Sequence, residues 1–125
     1  MDDRVLFTIN RRGVFNLVEA RQTLPVVRRI THEFSTKVES LIARLETIKL
    51  DQTDTICELE KQVNELIQTW NDKIRKLGAH PKGLWVVDFD HGEGYYCWKF
   101  PESDIMYWHG YDDGFSGRLP ILEDW

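Results

Sequence analysis

Apolar residues recur along the first two thirds of the chain at helical spacing. Val27, Ile30, Phe34, Val38, Leu41, Leu45 and Ile48 step by three or four residues, which places one stripe along a helix. Polar turn formers interrupt the stripe over Lys49–Asp54. Ile56, Leu59, Val63, Leu66, Trp70, Ile74 and Leu77 then repeat the stepping. Asn16 with Glu19, and Thr55 with Glu58, have the spacing of capping boxes and predict two helix starts. Pro25 falls inside the first pattern and predicts a kink there, or a short first helix ending near Leu24. Gly78 followed by Pro81 predicts the second stop. Two helices of about 24 residues, each roughly 36 Å long at 1.5 Å per residue, joined by a short turn, predict an antiparallel hairpin.

After Lys82-Gly83 the period changes to two. The runs LWVVDFD, YYCWKF and IMYWHGY are rich in β-branched and aromatic residues, with turn formers at residues 91–94 and 101–104. They predict a three-stranded antiparallel meander. A four-residue first turn sets Asp90 opposite Tyr95, Phe89 opposite Tyr96, Val87 opposite Trp98 and Trp85 opposite Phe100. The aromatic face then packs on the hairpin, and Asp88 meets Cys97 on the other face. A four-residue second turn puts Tyr107 and His109 on the aromatic face, with Met106 and Trp108 beside Cys97. A one-residue slip reverses that last assignment. Residues 4–9 predict a short strand or extended lead-in. Gly114 and Gly117 predict positive-φ turns in a C-terminal loop. The expected fold is therefore α+β in a single domain of 125 residues. It comprises a hairpin over 16–78, a meander over 84–110 and a loop and tail over 111–125.

Charge and cysteine usage narrow the partners. Residues 79–125 carry three basic and nine acidic side chains, which disfavours a phosphate backbone as ligand. No apolar run approaches the roughly 20 residues of a membrane span. The opening MDDRVLFTINRR has no apolar core of a secretion signal. Cys57 and Cys97 read as free thiols in a reducing cytoplasm. The helical stripes, widened by Val26, Ile42 and Ile67, exceed what two helices and a short sheet can cover. A homodimer through the hairpin is expected, with a foreign protein helix as the other occupant.

Asp88, Cys97, Glu102, His109 and Arg118 form the candidate binding site. They offer a nucleophile, a base, two carboxylates and an anion binder. The competing reading is a packed cysteine, a satisfied histidine and an arginine pinning a turn through Asp112, Asp113 or Glu102. Asp88 beside Cys97 raises the thiol pKa, which argues against a reactive thiolate. No catalytic residue is therefore assigned. His80, His91 and His109 with Asp88, Asp90 and Glu93 supply zinc-ligand types. No HxxxH or HExxH spacing is present, so neither a metal site nor a cofactor is assigned. The working expectation is a self-associating binding module, with a small-molecule site or enzyme around Cys97, His109, Glu102 and Arg118 as the alternative.

The segments FNLVEARQTLP, GLWVVDF, YYCWKF and ESDIMYWHGYDDGFSGRLPI resemble the uncharacterised bacterial family named domain of unknown function 2203, from about Phe15 to Ile121. The family pattern falls on Cys97, Trp98, Lys99, Glu102, Tyr107, Trp108, His109, Gly114, Phe115, Gly117 and Arg118. Lys99 stands where the pattern has arginine, and so lacks the bidentate fork. Asn16 stands where threonine is common, and caps a helix equally well. The resemblance implies a fold and no activity.

Overall fold

A computed structural model describes residues 12–122. The expected lead-in over residues 4–9 lies outside the described residues, as does the end of the tail. Helix α1 spans Leu17–Thr47 and opens on the expected capping box. Asn16 Oδ1 accepts from the Glu19 N–H at 2.8 Å, and Glu19 Oε1 accepts from the Asn16 N–H at 3.0 Å. The helix does not end near Leu24; it runs through Pro25 for 31 residues. Pro25 cannot donate to the Arg21 carbonyl, at a cost of about 3 kcal/mol. Burial of Ala20, Leu24 and Val27 around it outweighs that loss, at about 1.5–3 kcal/mol for a large apolar side chain.

Helix α2 spans Thr53–Lys76, and its N-cap is Gln52, with no side-chain cap bond. The Thr55–Glu58 capping box does not form, because the helix begins two residues earlier. Asp54 in the first turn offsets the helix dipole instead. Gly78, at φ 91°, terminates the chain's helical course as expected. The helices are unequal, at 31 and 24 residues, so the hairpin is not length-matched. Inside it, Trp70 Nε1 donates to Thr31 Oγ1 at 3.0 Å, which satisfies two buried polar groups.

Five strands follow: β1 (His80–Pro81), β2 (Val86–Asp90), β3 (Tyr95–Lys99), β4 (Tyr107–His109) and β5 (Leu119–Pro120). They form one antiparallel sheet in chain order. Three of these strands match the expected meander; β1 and β5 are additional. Each added strand is two residues long and contains a proline at a sheet edge, where no partner needs its missing N–H. Two residues carry no period. Lys82 N donates to Val86 O at 2.8 Å and Ile121 N to Met106 O at 2.9 Å, extending both edges.

The β2–β3 register is the expected one, with Asp88 opposite Cys97 and Val87 opposite Trp98. The β3–β4 register is not. Cys97 pairs with Tyr107 and Tyr95 with His109, one step from the expected pairing. Tyr107 and His109 therefore lie on the Cys97 face, and Trp108 lies inward. The cause is the connecting loop. Glu102 N donates to Lys99 O, and Trp98 Nε1 donates to Glu102 O. Ile105 is drawn fully into the core while Met106 stays exposed, so alternation breaks before β4 begins. The expected positive φ at Gly114 and Gly117 is also absent; positive-φ glycines are Gly13, Gly78 and Gly92. Residues 115–117 form one 3-10 turn instead. Gly117 sits close to its neighbour: a Cβ there would lie 3.1 Å from Asp113 Cβ, a tight contact.

The inner sheet face packs on the hairpin. Trp85, Val87, Phe89, Tyr96 and Trp98 join Leu24, Val27, Phe34, Trp70 and Ile74 in one buried cluster. Trp70 meets Trp85 edge-on at 4.9 Å, and Phe15 meets Phe89 at 5.2 Å. Ile105→Ala is expected to cost about 2–5 kcal/mol, and Met106→Ala less than about 0.5 kcal/mol, in urea unfolding. Equal effects would contradict the loop geometry.

Candidate functional site

Among the described residues neither α1 nor α2 packs on the outer face of the sheet. That face is shielded by the loop after β4, and it collects all five candidate residues. Asp88 and Cys97 face each other across β2 and β3. His109 on β4 reaches over β3 to Asp88, with Nε2 at 3.0 Å from Oδ2. Only 2% of Asp88 and 4% of His109 is exposed, and Cys97 is wholly buried.

The hydrogen-bond roles in this pair are short of one positive charge. His109 Nδ1 lies 2.9 Å from the Gly110 carbonyl oxygen. A carbonyl only accepts, so Nδ1 must carry the hydrogen. If the ring is neutral, Nε2 presents a filled lone pair to a carboxylate oxygen. The contact is favourable when a proton, carried by Nε2 or by Asp88 Oδ2, or a metal ion lies between them. Asp88 Oδ1 is buried without a hydrogen-bond partner, a costly arrangement in a dry site.

Cys97 touches both neighbouring polar groups. Burial pushes its thiol pKa far up, the Asp88 carboxylate raises it further, and Arg118 offsets part of this. An unassisted thiolate nucleophile is therefore disfavoured.

Glu102 and Arg118 form a second pair on the same face. Arg118 Nη1 donates to Glu102 Oε1 at 2.9 Å and Oε2 at 3.0 Å. Its guanidinium lies between the rings of Tyr107 and Phe115, 4.2 and 4.1 Å from their centroids. Glu102 Oε1 also accepts from Lys99 N at 2.7 Å. Arg118 thus pins the loop through Glu102, not Asp112 or Asp113. Its charge is already matched, so the pair acts as a brace.

Beside Asp88 and His109 opens a cleft of about 510 Å³. Its walls are Leu84, Val86, Tyr95 and Phe115, and Lys82, Lys99 and Asp113 also line it. Lys82 Nζ lies 5.1 Å from the Tyr95 ring centroid, and Lys99 Nζ 5.9 Å from that of Phe115. Among the described residues neither lysine has a carboxylate within ion-pair distance. Tyr111 closes one side, its hydroxyl donating to Asp90 Oδ1 at 2.6 Å. That bond pushes the Tyr111 pKa up to about 12. Burial alone would raise the Asp90 pKa, but the Tyr111 hydroxyl and the Gly92 N–H hold it below its ordinary value. Gly94 is required at the entry to β3, because a Cβ there would lie 2.6 Å from the His109 carbonyl oxygen.

The sequence had singled out all five residues but separated His109 from Cys97; the observed register brings them together. Among the described residues the one group of three metal-ligand types is Asp88, Cys97 and His109, with ligand atoms within 4.8 Å of one another. His80, His91, Asp90 and Glu93 do not gather into such a group. His91 lies tilted against Tyr96 at 4.6 Å, and His80 meets Tyr95 edge-on at 5.7 Å. Sequence reasoning did not single out Lys82, Leu84, Tyr111 or the wall role of Phe115. These lie in loops, where no period marks a face.

A family profile for the uncharacterized conserved protein DUF2203 matches residues 13–121. The chain belongs to that family. No curated protein and no solved structure matches it. The DUF2203 match spans both helices, the whole sheet and the loop that carries Arg118, and it brings no activity with it. The chemistry of this DUF2203 chain therefore has to be argued from its own residues.

In the folded DUF2203 chain one thiol, the exposed Cys57, is expected to react promptly with a thiol reagent at pH 8. Cys97 is expected to react only after unfolding. Rapid loss of both thiols in native buffer would contradict the burial described.

Proposed function

We propose that this protein is a non-enzymatic binding module that holds a small anion with a flat apolar body in the outer-face cleft. The observation that carries this reading is the pairing of apolar and aromatic walls with two lysines that have no carboxylate partner among the described residues. Ligand sites combine apolar walls with a few placed polar groups in this way, at about 300–1,000 Å³. The lysines would meet a carboxylate or phosphate, and Tyr95 and Phe115 would hold the ring. Arg118 and Glu102 brace the loop that forms one wall. The acidic balance of residues 79–125 disfavours a nucleic-acid backbone as the ligand.

Thermal unfolding with a panel of benzoate, naphthoate and phenyl phosphate tests this. At least one is expected to raise the midpoint by several degrees, with the gain lost in Lys99→Glu. No shift at millimolar concentration with any of the three would overturn the reading.

A second copy of the chain on the distal hairpin is a further part of the proposal. Every buried residue of α1 lies at or before Val38, and only Leu59 is buried in the first 17 residues of α2. Leu41, Leu45, Ile48, Val63 and Leu66 are half-buried, and Ile42 is exposed. Lys37 and Arg44 edge one groove, and Glu60, Lys61 and Glu65 the other. Two copies related by a two-fold axis would cover the stripe. A bacterial cytoplasm suits the two unpaired thiols, and no described helix is long and apolar enough to cross a membrane. Sedimentation at micromolar concentration is expected to give twice the chain mass, and Ile42→Glu to give the monomer. A monomeric wild type would remove the dimer.

A further inference from the structure

A divalent metal ion explains the outer-face cluster better than the residues do alone. Asp88, Cys97 and His109 come from three adjacent strands, and their ligand atoms lie within 4.8 Å of one another. Around tetrahedral zinc such atoms stand about 3.3–3.7 Å apart, given metal–ligand bonds of about 2.0–2.3 Å. The His109 Nε2–Asp88 Oδ2 separation of 3.0 Å is already close to that. Small inward shifts of side chains, without movement of the sheet, would complete three bonds.

Independent features of the site also call for a cation. Asp88 Oδ1 is fully buried and has no hydrogen-bond partner. His109 is held at Nδ1 by the Gly110 carbonyl, which leaves Nε2 as the coordinating nitrogen. Ligand histidines are oriented in this way by a backbone carbonyl on the far nitrogen. Arg118 reaches both Glu102, at 2.9 Å, and the Cys97 sulfur, so its charge is offset by the carboxylate and it favours the thiolate that a metal needs.

We propose that Asp88, Cys97 and His109 bind one zinc-class divalent ion at the base of the outer-face cleft. The set of one sulfur, one nitrogen and one oxygen fits zinc or cobalt, and disfavours calcium and magnesium, which take oxygen. On binding, the metal takes the sulfur and Nε2 lone pairs, and the thiol proton passes to solvent with any proton held between His109 Nε2 and Asp88 Oδ2. Carboxylate and thiolate then balance the two positive charges. Asp88 and His109 line the cleft, so the fourth position faces it, and three protein ligands with one open position is the arrangement of a zinc that meets a ligand. The metal site does not depend on the organic anion of the preceding reading.

The test is titration of the full chain with Co²⁺ after chelator treatment, under a phosphine reductant. The expected result is one equivalent bound, with tetrahedral ligand-field bands and a thiolate-to-cobalt charge-transfer band, both bleached by Zn²⁺. Cys57→Ser keeps the thiolate band, whereas Cys97→Ser loses it and His109→Ala loses the ligand-field bands. Circular dichroism establishes that each variant is folded. If the wild type shows no thiolate band, or Cys57→Ser is the variant that loses it, the proposal is overturned; these readouts need no variant at the site to fold. Metal binding without any response to the anion panel sustains this site and removes the cleft reading. A response to the panel without metal binding does the reverse.

Discussion

The two faces of the sheet are divided by a constraint that governs the rest of the molecule. A strand sends alternate side chains to opposite sides, and only one side of this sheet meets the helices. Trp85, Val87, Phe89, Tyr96 and Trp98 fill that side against Trp70, Leu24 and Val27. Alternation then forces Asp88, Cys97 and the residues of β4 at the same phase onto the other side. There a loop of a few residues must do what the hairpin does on the inside. Arg118, clamped between Tyr107 and Phe115 and bound to Glu102, fixes that loop. Its shielding is incomplete, and the gap is the cleft.

Partial cover explains why polar chemistry gathers here. A fully buried Asp88 with one oxygen unpartnered is expensive in an apolar core. It is tolerable where an imidazole stands at 3.0 Å and where a proton or metal ion can enter. The same burial that suppresses Cys97 as a nucleophile makes it a sheltered sulfur donor. An enzyme based on that thiol is disfavoured by its surroundings, while a coordinated sulfur is not, because a metal ion inverts the local electrostatics.

The hairpin follows different physics along its length. Near the sheet it is three-sided and well buried; towards its turn only two helices meet. Half-buried Leu41, Leu45 and Leu66 are what that geometry leaves. Pro25 sits in the supported half, where the buried neighbours Leu24 and Val27 hold the helix through it. The half-buried distal hairpin and the outer-face cleft thus lie in different parts of the fold, so the proposed self-association and the proposed binding would not compete for one surface.

The two helices, the Asn16–Glu19 cap, the Gly78 stop, the β2–β3 register and the inward aromatic face were legible in the amino-acid order. Each is set by contacts between near neighbours or by a repeat several residues long. The five candidate residues were legible as chemical types for the same reason. The tertiary structure decided the passage of α1 through Pro25, the edge strands β1 and β5, and the face of His109. Pro25 depends on burial against residues far along the chain. A two-residue edge strand exists only because its neighbour offers free hydrogen bonds. The face of His109 turns on one residue of loop length, and Ile105 entering the core settles that count. No local pattern records it, because its cause is the space beneath the sheet.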